Sequence, residues 1–229
     1  MSDRRSERDE LRDYYEALSL VHARVRPAVY LEIGVHEGHS FHLASPTVTA
    51  VGVDPGMNLQ FAAPDGAQLF HEASDAFFAD HATEAFADGP VDLAFLDGLH
   101  HWDQTLRDFA HTEQHSDADG CILIHDCLPI DAETSARERS TVVWSGDVWK
   151  VVVWLRRHRP DLQVTTLDVG PTGLAIVTGL DPRRPTPGDD DLDDDLWQLG
   201  YDDVADELHT LLNVVPGTVD ALEQSVPAR

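Results

Sequence analysis

Short apolar runs alternate with longer amphipathic stretches along residues 28–180 of the chain. Apolar runs of strand length predict five buried strands, at 28–34, 47–54, 67–74, 91–97 and 120–126. Apolar residues at helical spacing predict helices at 74–87, 101–114 and 146–160, the last of which must end before Pro160. Two further runs, 162–169 and 173–180, flank a Gly-Pro-Thr-Gly turn and predict an antiparallel hairpin.

This alternation of strands and helices predicts an α/β fold. We expect a doubly wound, Rossmann-like sheet of seven strands, mostly parallel, with a C-terminal antiparallel hairpin. Ligands of such a sheet bind at the carboxyl ends of its strands. The residues that follow each strand are therefore the first candidates for chemistry.

The two ends of the chain differ from this central region. Residues 6–25 predict a helix that covers the edge of the sheet or the ligand bound there, and PTPGDDDLDDD (185–195) is typical of an acidic linker. Residues 195–215 predict one or two amphipathic helices, followed by a frayed end. We therefore divide the chain into an N-terminal helix (1–25), a main α/β domain (26–182), an acidic linker (183–195) and a C-terminal helical appendage (196–229).

The chain is strongly acidic. Its 229 residues include 42 Asp and Glu against 16 Lys and Arg, which gives a formal net charge of −26, and Lys150 is the single lysine. Such a surface repels the phosphates of nucleic acid, so we expect no nucleic-acid partner. The acidity is typical of proteins from a salt-rich cytoplasm, although a GC-rich genome produces the same bias.

Other features of the composition favour a cytoplasmic protein. No apolar run is long enough to span a membrane, and the charged N-terminus lacks the apolar core of a signal peptide, so we expect no membrane partner. Cys121 and Cys127 are too few for a disulfide framework and fit a reducing compartment, with Cys121 in the core. The terminal helices are the expected contact surface of any homo-oligomer.

The first predicted strand ends in a glycine-containing turn that runs from Glu32 to Ser40. Gly34 and Gly38 allow a ligand to approach the backbone closely, and Val35 and Ser40 belong to the same candidate binding turn. The dinucleotide fingerprint G-x-G-x-x-G is missing, because Glu32 stands where its first glycine would be. An acidic residue there repels a pyrophosphate but can hold an ammonium group, which favours S-adenosylmethionine (SAM) over NAD.

Polar residues also follow the next strands. Asp54 ends the second strand, about twenty residues after the first turn, where a carboxylate accepts hydrogen bonds from ribose hydroxyls. Ser74 and Asp75 end the third strand, where contacts to the adenine edge are expected. Together with Asp97 after the fourth strand, they complete the candidate SAM-binding set.

The fourth and fifth predicted strands end in aspartate and histidine residues. Asp97 and His100 follow the fourth strand, His125 and Asp126 end the fifth, and neighbouring strands bring these ends together. Two aspartates suit a hard divalent cation such as Mg²⁺, which would lower the pKa of a substrate hydroxyl bound to it. His100 would then take the hydroxyl proton as general base.

The role of His125 is left open by the sequence. Alternation along a strand predicts that His125 points away from Asp126, into the core or behind the site. If His125 is a metal ligand, a softer ion such as Mn²⁺ or Fe²⁺ fits better than Mg²⁺. The alternative for the whole group is that the aspartates cap the following helices and the histidines are exposed. His36 and His101 are expected in loops or on the surface.

Four segments together carry a family resemblance: LEIGVHEGHS (31–40), VGVDPG (51–56), VDLAFLDGLHHWDQTLRDF (91–109) and GCILIHDCLP (120–129). With them the chain resembles the small-molecule O-methyltransferases of the methyltransferase-24 family. It is similar in turn to metal-dependent sugar O-methyltransferases of macrolide and aminocoumarin biosynthesis. The resemblance covers roughly residues 25–180, and the D-G-x-H element with the later H-D pair is its most specific part.

The resemblance implies a SAM-dependent methyltransferase domain over residues 26–182. It implies a divalent metal on Asp97 and Asp126, His100 as the base, and SAM on Glu32, Gly34, Gly38 and Asp54. The chain departs from the metal-dependent sugar enzymes at His125, where they tend to have an acid, and at Trp102, where tyrosine is usual. The segment WSGDVWK (144–150) also resembles the family, at a place where a substrate lid is expected, and its tryptophans serve either core packing or substrate stacking.

We therefore expect a SAM-dependent O-methyltransferase that acts on a hydroxyl group of a small molecule, such as a sugar or a natural product. Two alternatives stay open. An iron-dependent hydroxylase would arrange Asp97, His100 and His125 as two histidines and one carboxylate around Fe²⁺. A non-catalytic SAM-binding module would have a site closed by bulky residues.

Overall fold

The computed structural model describes residues 9–46, 48–187 and 192–228. Its strands are β1 (Val29–Ile33), β2 (Thr49–Val53), β3 (Gln68–Phe70), β4 (Val91–Leu96), β5 (Ser116–His125), β6 (Gln163–Asp168), β7 (Leu174–Thr178) and β8 (Val214–Pro216). Its α-helices are α1 (Tyr14–Val25), α2 (Ser74–Asp80), α3 (Ala82–Ala85), α4 (Trp102–Gln114), α5 (Trp149–His158), α6 (Asp194–Gln198), α7 (Tyr201–Val204), α8 (Leu208–Leu211) and α9 (Val219–Ser225). A turn of 3₁₀ helix spans Phe41–Leu43.

The strands of the described residues form one sheet in the order β3-β2-β1-β4-β5-β7-β6-β8. Strands β1 to β5 are parallel, β7 is antiparallel to both β5 and β6, and β8 is parallel to β6. The predicted α/β fold with a mostly parallel sheet and an antiparallel hairpin is therefore confirmed. The predicted count of seven strands is wrong, because the described sheet has eight.

The eighth strand comes from the C-terminal segment. Val214 of β8 pairs with Thr166 of β6, whose hydroxyl donates a hydrogen bond to the carbonyl of Leu212. A strand of three residues that ends in Pro216 is too short to show an alternating pattern, so only its long-range pairing reveals it. The C-terminal segment thus contributes to the main sheet as well as providing helices.

Several helix boundaries differ from the predicted ones. The N-terminal helix begins at Tyr14, because Asp13 accepts a hydrogen bond from the backbone N–H of Glu16 and caps it, and residues 6–8 of the predicted helix lie outside the described residues. The predicted helix 74–87 is interrupted at His81. The stretch 195–215 forms three short helices, and α9 replaces the expected frayed end.

The two faces of the sheet bury separate apolar cores. On β1, Leu31 and Ile33 join the core beneath α4 and α5, whereas Tyr30 joins the core beneath α1 and α9. Successive side chains of a strand point to opposite faces, which explains why all five residues of β1 are buried. Among the described residues, the structure has no helix of the length and apolar character that a membrane span requires.

The register of the central strands aligns the ends that carry the candidate chemistry. Ile33 of β1 lies opposite Leu96 of β4, and Leu96 lies opposite Ile124 of β5. The residues that follow these three positions are Gly34 after Ile33, Asp97 after Leu96 and His125 after Ile124. All three therefore lie at the same edge of the sheet. This edge is where a parallel sheet binds its ligands.

Candidate active site

The turn after β1 requires glycine at two positions. Gly34 has a φ of +93°, and a β-carbon built there would lie 1.9 Å from the backbone oxygen of Asp97. Gly38 has a φ of +83°, and its β-carbon would lie 2.9 Å from the side chain of Leu59. Residues with a side chain rarely adopt such φ values, and the built β-carbons have no room. This turn therefore requires glycine at both positions.

Glu32 is fully buried at the end of β1. Its carboxyl group accepts hydrogen bonds from the hydroxyl of Tyr30 at 2.5 Å and from the hydroxyl of Ser40 at 2.6 Å. Burial raises the pKa of Glu32 to about 8, because a charged carboxylate loses its hydration there. A nearby ammonium group would favour the charged form. The predicted residues Glu32 and Ser40 thus form one buried network.

Asp54 orders the next loop at the end of β2. Its two carboxylate oxygens accept hydrogen bonds from the backbone N–H groups of His36 at 2.7 Å and Gly56 at 2.6 Å. The bond to His36 links Asp54 to the glycine turn, in which Val35 is buried. Each carboxylate oxygen has a second lone pair, so the group can still accept hydrogen bonds from a ligand.

Ser74 and Asp75 at the start of α2 contact helix α4. The Ser74 hydroxyl donates to Asp108 at 2.6 Å, and Gln104 donates to Asp75 at 3.1 Å and to Asp108 at 3.0 Å. Burial raises the pKa of Asp108 to about 6. The sequence analysis missed Asp108 and Gln104 because they lie within a helix and do not follow a strand. Their neighbours at helical spacing, His101, Arg107 and His111, are polar as well, so no break in the hydrophobic pattern marks them.

Two aspartates and a histidine meet at the ends of β4 and β5. One ligand atom from each of Asp97, His100 and Asp126 falls within a group whose members all lie within 4.8 Å of one another. Nε2 of His100 lies 3.6 Å from Asp97, and Nδ1 of His100 lies 3.2 Å from Asp126. The Asp126 carboxylate also accepts a hydrogen bond from the buried hydroxyl of Thr172. The structure thus brings together three residues that the sequence analysis selected.

His125 does not point away from Asp126, as strand alternation predicted. Its Nδ1 lies 3.2 Å from Asp97 and 3.4 Å from Asp126. Alternation fails because the strand ends at His125 and Asp126 has a φ of +60°, outside the extended range. Within the described residues, Nε2 of His125 is buried without a hydrogen-bond partner, and the centroid of the Tyr14 ring from α1 lies 4.0 Å from that of the His125 ring.

The close packing of these groups changes their pKa values. Burial alone would raise the pKa of Asp97, but His125 and His100 outweigh it and hold the pKa below its usual range. Burial alone would lower the pKa of His100 and His125, but Asp97 and Asp126 raise the pKa of both histidines. The cluster therefore favours an ionised Asp97, and the two histidines balance part of the negative charge.

The donor set is one that a divalent cation accepts. Carboxylate oxygens suit Mg²⁺, and an imidazole nitrogen also suits Mn²⁺ or Fe²⁺. Within the described residues, the group with ligand spacing contains His100 as its nitrogen donor, whereas His125 lies beside both carboxylates without belonging to it. The binding of a metal, and the part of His125 in it, stay predictions.

The loop after β5 contributes residues that strand-end reasoning did not assign to the site. The ring of Trp144 stacks on His100 with 4.9 Å between centroids, and Asp147 accepts a hydrogen bond from the backbone N–H of Trp102 at 2.9 Å. The sequence predicts a substrate lid near residues 144–150, with its tryptophans either in the core or stacked on a substrate. Trp149 is buried in the core, and Trp144 contacts a candidate catalytic residue.

Known proteins share both this fold and part of this sequence. Residues 31–127 match the family described as a methyltransferase domain. No curated protein matches the chain in sequence. The chain is similar to the O-methyltransferase TomG from Streptomyces achromogenes, solved with SAM, at 16% identity and a TM-score of 0.52 over 73% of this chain and 80% of that one.

Two further solved structures show the same fold. An O-methyltransferase from Bacillus cereus in complex with S-adenosylhomocysteine is 13% identical, with a TM-score of 0.51 over 72% of this chain and 80% of that one. A methyltransferase from Podospora anserina, also bound to S-adenosylhomocysteine, is 15% identical, with a TM-score of 0.52 over 73% of this chain and 78% of that one. The chain is therefore similar to a methyltransferase domain over residues 31–127 and shares the fold of these solved methyltransferases.

Proposed function

We propose that this methyltransferase transfers the methyl group of SAM to a hydroxyl group of a small molecule. One observation carries the proposal. The backbone oxygen of Asp97 packs so closely on Gly34 that no β-carbon fits between them. The candidate cofactor turn and the cluster of Asp97, His100 and Asp126 are therefore contiguous, as transfer from a bound donor to a deprotonated acceptor requires.

In this proposal the cofactor lies along the ends of β1 to β4. SAM supplies an electrophilic methyl group when bound. Glu32, which is fully buried, is the partner of its ammonium group either directly or through water. Asp54 accepts hydrogen bonds from its ribose, and the remaining binding residues are Gly34, Val35, Gly38, Ser40, Ser74, Asp75 and Asp97. The hydrogen bonds of Glu32 to Ser40 and of Asp54 to His36 support these roles, because both carboxyl groups are held against the glycine turn.

His100 is the base of the proposed reaction. It takes the proton of the acceptor hydroxyl, and Asp97 and Asp126 stabilise the imidazolium that forms, since both carboxylates lie within 3.6 Å of its ring nitrogens. The side chain of His100 is 23% exposed, so an acceptor can reach it. The carboxylates raise the pKa of His100 and so favour its protonated form, and a cation held by Asp97 and Asp126 would offset this and leave the imidazole free to accept a proton.

A divalent cation, Mg²⁺ before other ions, is also part of the proposal. Asp97 and Asp126 would hold it, and it would supply a Lewis acid that lowers the pKa of the acceptor hydroxyl. His100 cannot be both ligand and base through the same nitrogen, so we assign the metal to the carboxylates. His125 stays the third candidate ligand.

The acceptor is proposed to be a sugar or another natural product. TomG, which shares the fold, is described as involved in tomaymycin synthesis. The net charge of −26 supports a small, non-polyanionic acceptor, since phosphate-rich partners would be repelled. We further propose a cytoplasmic location, the division into residues 1–25, 26–182, 183–195 and 196–229, and terminal helices as the contact surface of any homo-oligomer.

The hydroxylase alternative receives less support from the site. It needs two histidines and one carboxylate around a single ion. The group with ligand spacing in the described chain has two carboxylates and one histidine. The non-catalytic module would have a site closed by bulky side chains, but the side chain of His100 is 23% exposed beside the Trp144 ring.

An assay of methyl transfer tests the proposal. The purified protein is incubated with SAM and a panel of hydroxylated sugars, phenols and macrolides, with and without EDTA, and release of S-adenosylhomocysteine is measured. We expect release that depends on one acceptor class and decreases in EDTA. Binding of SAM without release for any hydroxylated acceptor would contradict O-methyl transfer. Full activity in EDTA would contradict only the metal.

A further inference from the structure

The segment from Thr134 to Asp147 packs directly on His100. The Trp144 ring lies nearly parallel to the His100 ring, with 18° between their planes and 4.9 Å between centroids. The backbone carbonyl of Trp144 accepts a hydrogen bond from Nδ1 of His100 at 2.8 Å. One residue therefore contacts both the face and one nitrogen of the proposed base.

Two acceptors face Nδ1 of His100, the carbonyl of Trp144 at 2.8 Å and the carboxylate of Asp126 at 3.2 Å, and both favour a proton on this nitrogen. A carbonyl oxygen can only accept, so Nδ1 must be the donor. In a neutral imidazole one nitrogen is a donor and the other has a free lone pair. Nε2 is then the basic nitrogen, and the nearest Asp97 oxygen, at 3.6 Å, is too distant to hold a proton on it.

Local contacts hold Trp144 in this position. Its indole N–H donates to the carbonyl of Ala136 at 2.6 Å, and the adjacent Ser145 donates to the carbonyl of Thr134 from both its N–H and its hydroxyl. Gly146 has a φ of +56°, and a β-carbon there would lie 1.9 Å from the backbone oxygen of His100. The loop can approach His100 so closely because residue 146 is glycine.

Asp147 links this loop to the helix that follows His100. Its carboxylate accepts a hydrogen bond from the N–H of Trp102, the first residue of α4, and lies 3.4 Å from Arg137 and 3.6 Å from Lys150. Asp147 is 4% exposed, so these contacts are shielded from water. The loop is therefore joined to the segment that carries His100 at two places, through Trp144 at His100 and through Asp147 at Trp102.

We infer that Trp144 is a positioning residue that keeps His100 in the tautomer with a proton on Nδ1 and a free lone pair on Nε2, directed at the acceptor. The inference rests on the proposed role of His100 as base. The indole ring performs this function by stacking on the imidazole and by anchoring its own carbonyl through the bond to Ala136. The assignment explains why Trp144 is only partly buried, since its partner is a site residue and not the core.

Three variants test the inference. Trp144→Ala removes the stack and the indole anchor but keeps the carbonyl, and Trp144→Phe keeps a ring but loses the bond to Ala136. Trp154→Phe is the matched control, because Trp154 also pairs with a histidine, His158, at 4.8 Å between centroids. Each is examined in EDTA by ¹⁵N NMR of the imidazoles, with His100→Gln used to identify the His100 signals, and by kinetics without EDTA.

We expect Trp144→Ala to lower kcat about ten- to a hundredfold with an unchanged KM for SAM, because the base is misplaced while the cofactor site is intact. Its His100 signals should show less proton on Nδ1 than those of the wild type, because the carbonyl of residue 144 is no longer anchored and Asp126 is the acceptor that stays in place. Trp144→Phe should show a smaller change of the same kind, and Trp154→Phe none. An unaltered kcat and His100 signal in Trp144→Ala would overturn the inference.

Two further outcomes are separable. If Trp144→Ala does not fold, Trp144→Phe is used as the test instead. An unaltered kcat and an unaltered His100 signal in Trp144→Phe would then overturn the inference. The NMR measurement needs no methyl acceptor, so it does not depend on the proposed function. A wild-type His100 with its proton on Nδ1, combined with a fully active His100→Gln variant, would leave the positioning intact and reject His100 as the base.

Discussion

Gly34 and Asp97 join the two halves of the candidate site. The backbone oxygen of Asp97 occupies the space in which a β-carbon of residue 34 would lie, at a separation of 1.9 Å. The contact connects the end of β1, with its cofactor turn, to the end of β4, with its acid and base groups. Any side chain at residue 34 must therefore push these two strand ends apart.

Gly34→Ala is expected to weaken SAM binding and to destabilise the fold by more than the strain of its φ alone, which costs about 1–2 kcal/mol. Gly66→Ala is the matched control, because Gly66 has a φ of +80° but no atom within 4 Å of the new β-carbon. Calorimetric titration with SAM and urea denaturation compare the two. Equal losses of stability and unchanged affinity in both variants would show that the contact with Asp97 does not matter.

Asp54→Ala should weaken SAM binding by about 1.5–3 kcal/mol for each hydrogen bond lost to the charged group. The same substitution releases the N–H groups of His36 and Gly56, which complicates a simple comparison with the wild type. Asp92→Ala provides the control, since Asp92 also accepts two backbone N–H bonds, from Ala28 and Val29, at the opposite edge of the sheet. Equal SAM affinities of the two variants would reject the ribose assignment.

Asp126→Asn should abolish binding of Mg²⁺ or Mn²⁺ while SAM still binds, because Asp126 is assigned to the metal and not to the cofactor. Titration calorimetry with each ion, in the presence and absence of SAM, measures both effects. Asp117→Asn, which alters an acidic residue at the far end of β5, serves as the control. Equal ion binding by wild type and Asp126→Asn would show that the cluster holds no metal through this carboxylate.

His100→Ala should lower kcat by about a hundredfold to ten-thousandfold, the usual contribution of a general base. The KM for SAM should barely change, because His100 does not belong to the cofactor turn. His101→Ala is the neighbouring control, since His101 contacts the carbonyl of Arg137 and not the carboxylates. A His100→Ala enzyme with the wild-type rate would move the role of base to another group.

The sequence predicted the elements of the site that local patterns determine. Asp97 and Asp126 follow apolar runs, and parallel strands place such residues at one edge. The orientation of His125 was mispredicted because it depends on the φ of +60° at Asp126, which no hydrophobic pattern encodes. The Trp144 contact and strand β8 were equally inaccessible, since both join segments more than forty residues apart in the chain. Long-range packing decided these features.

His22 provides a test of stability that does not involve the site. It lies on α1 with its ring edge-on to Tyr30 at 4.6 Å between centroids, and neither of its ring nitrogens has a hydrogen-bond partner in the part of the chain that the structure describes. Burial lowers the pKa of His22 from 6.5 to about 4, because the charged imidazolium would lose its hydration. The neutral form is therefore the one that the folded protein accepts.

Between pH 6.5 and 4 the unfolded chain binds a proton at His22 that the folded chain does not, so this group destabilises the fold as the pH falls. The loss amounts to about 3 kcal/mol once the pH is below both pKa values. His22→Phe keeps an apolar ring and should remove this component, so its free energy of unfolding should decrease less than that of the wild type from pH 7 to pH 4. Urea denaturation at each pH measures the difference. His209→Phe, at an exposed position, is the control. Parallel pH profiles of the wild type and His22→Phe would show that His22 has the same pKa in the folded and unfolded states.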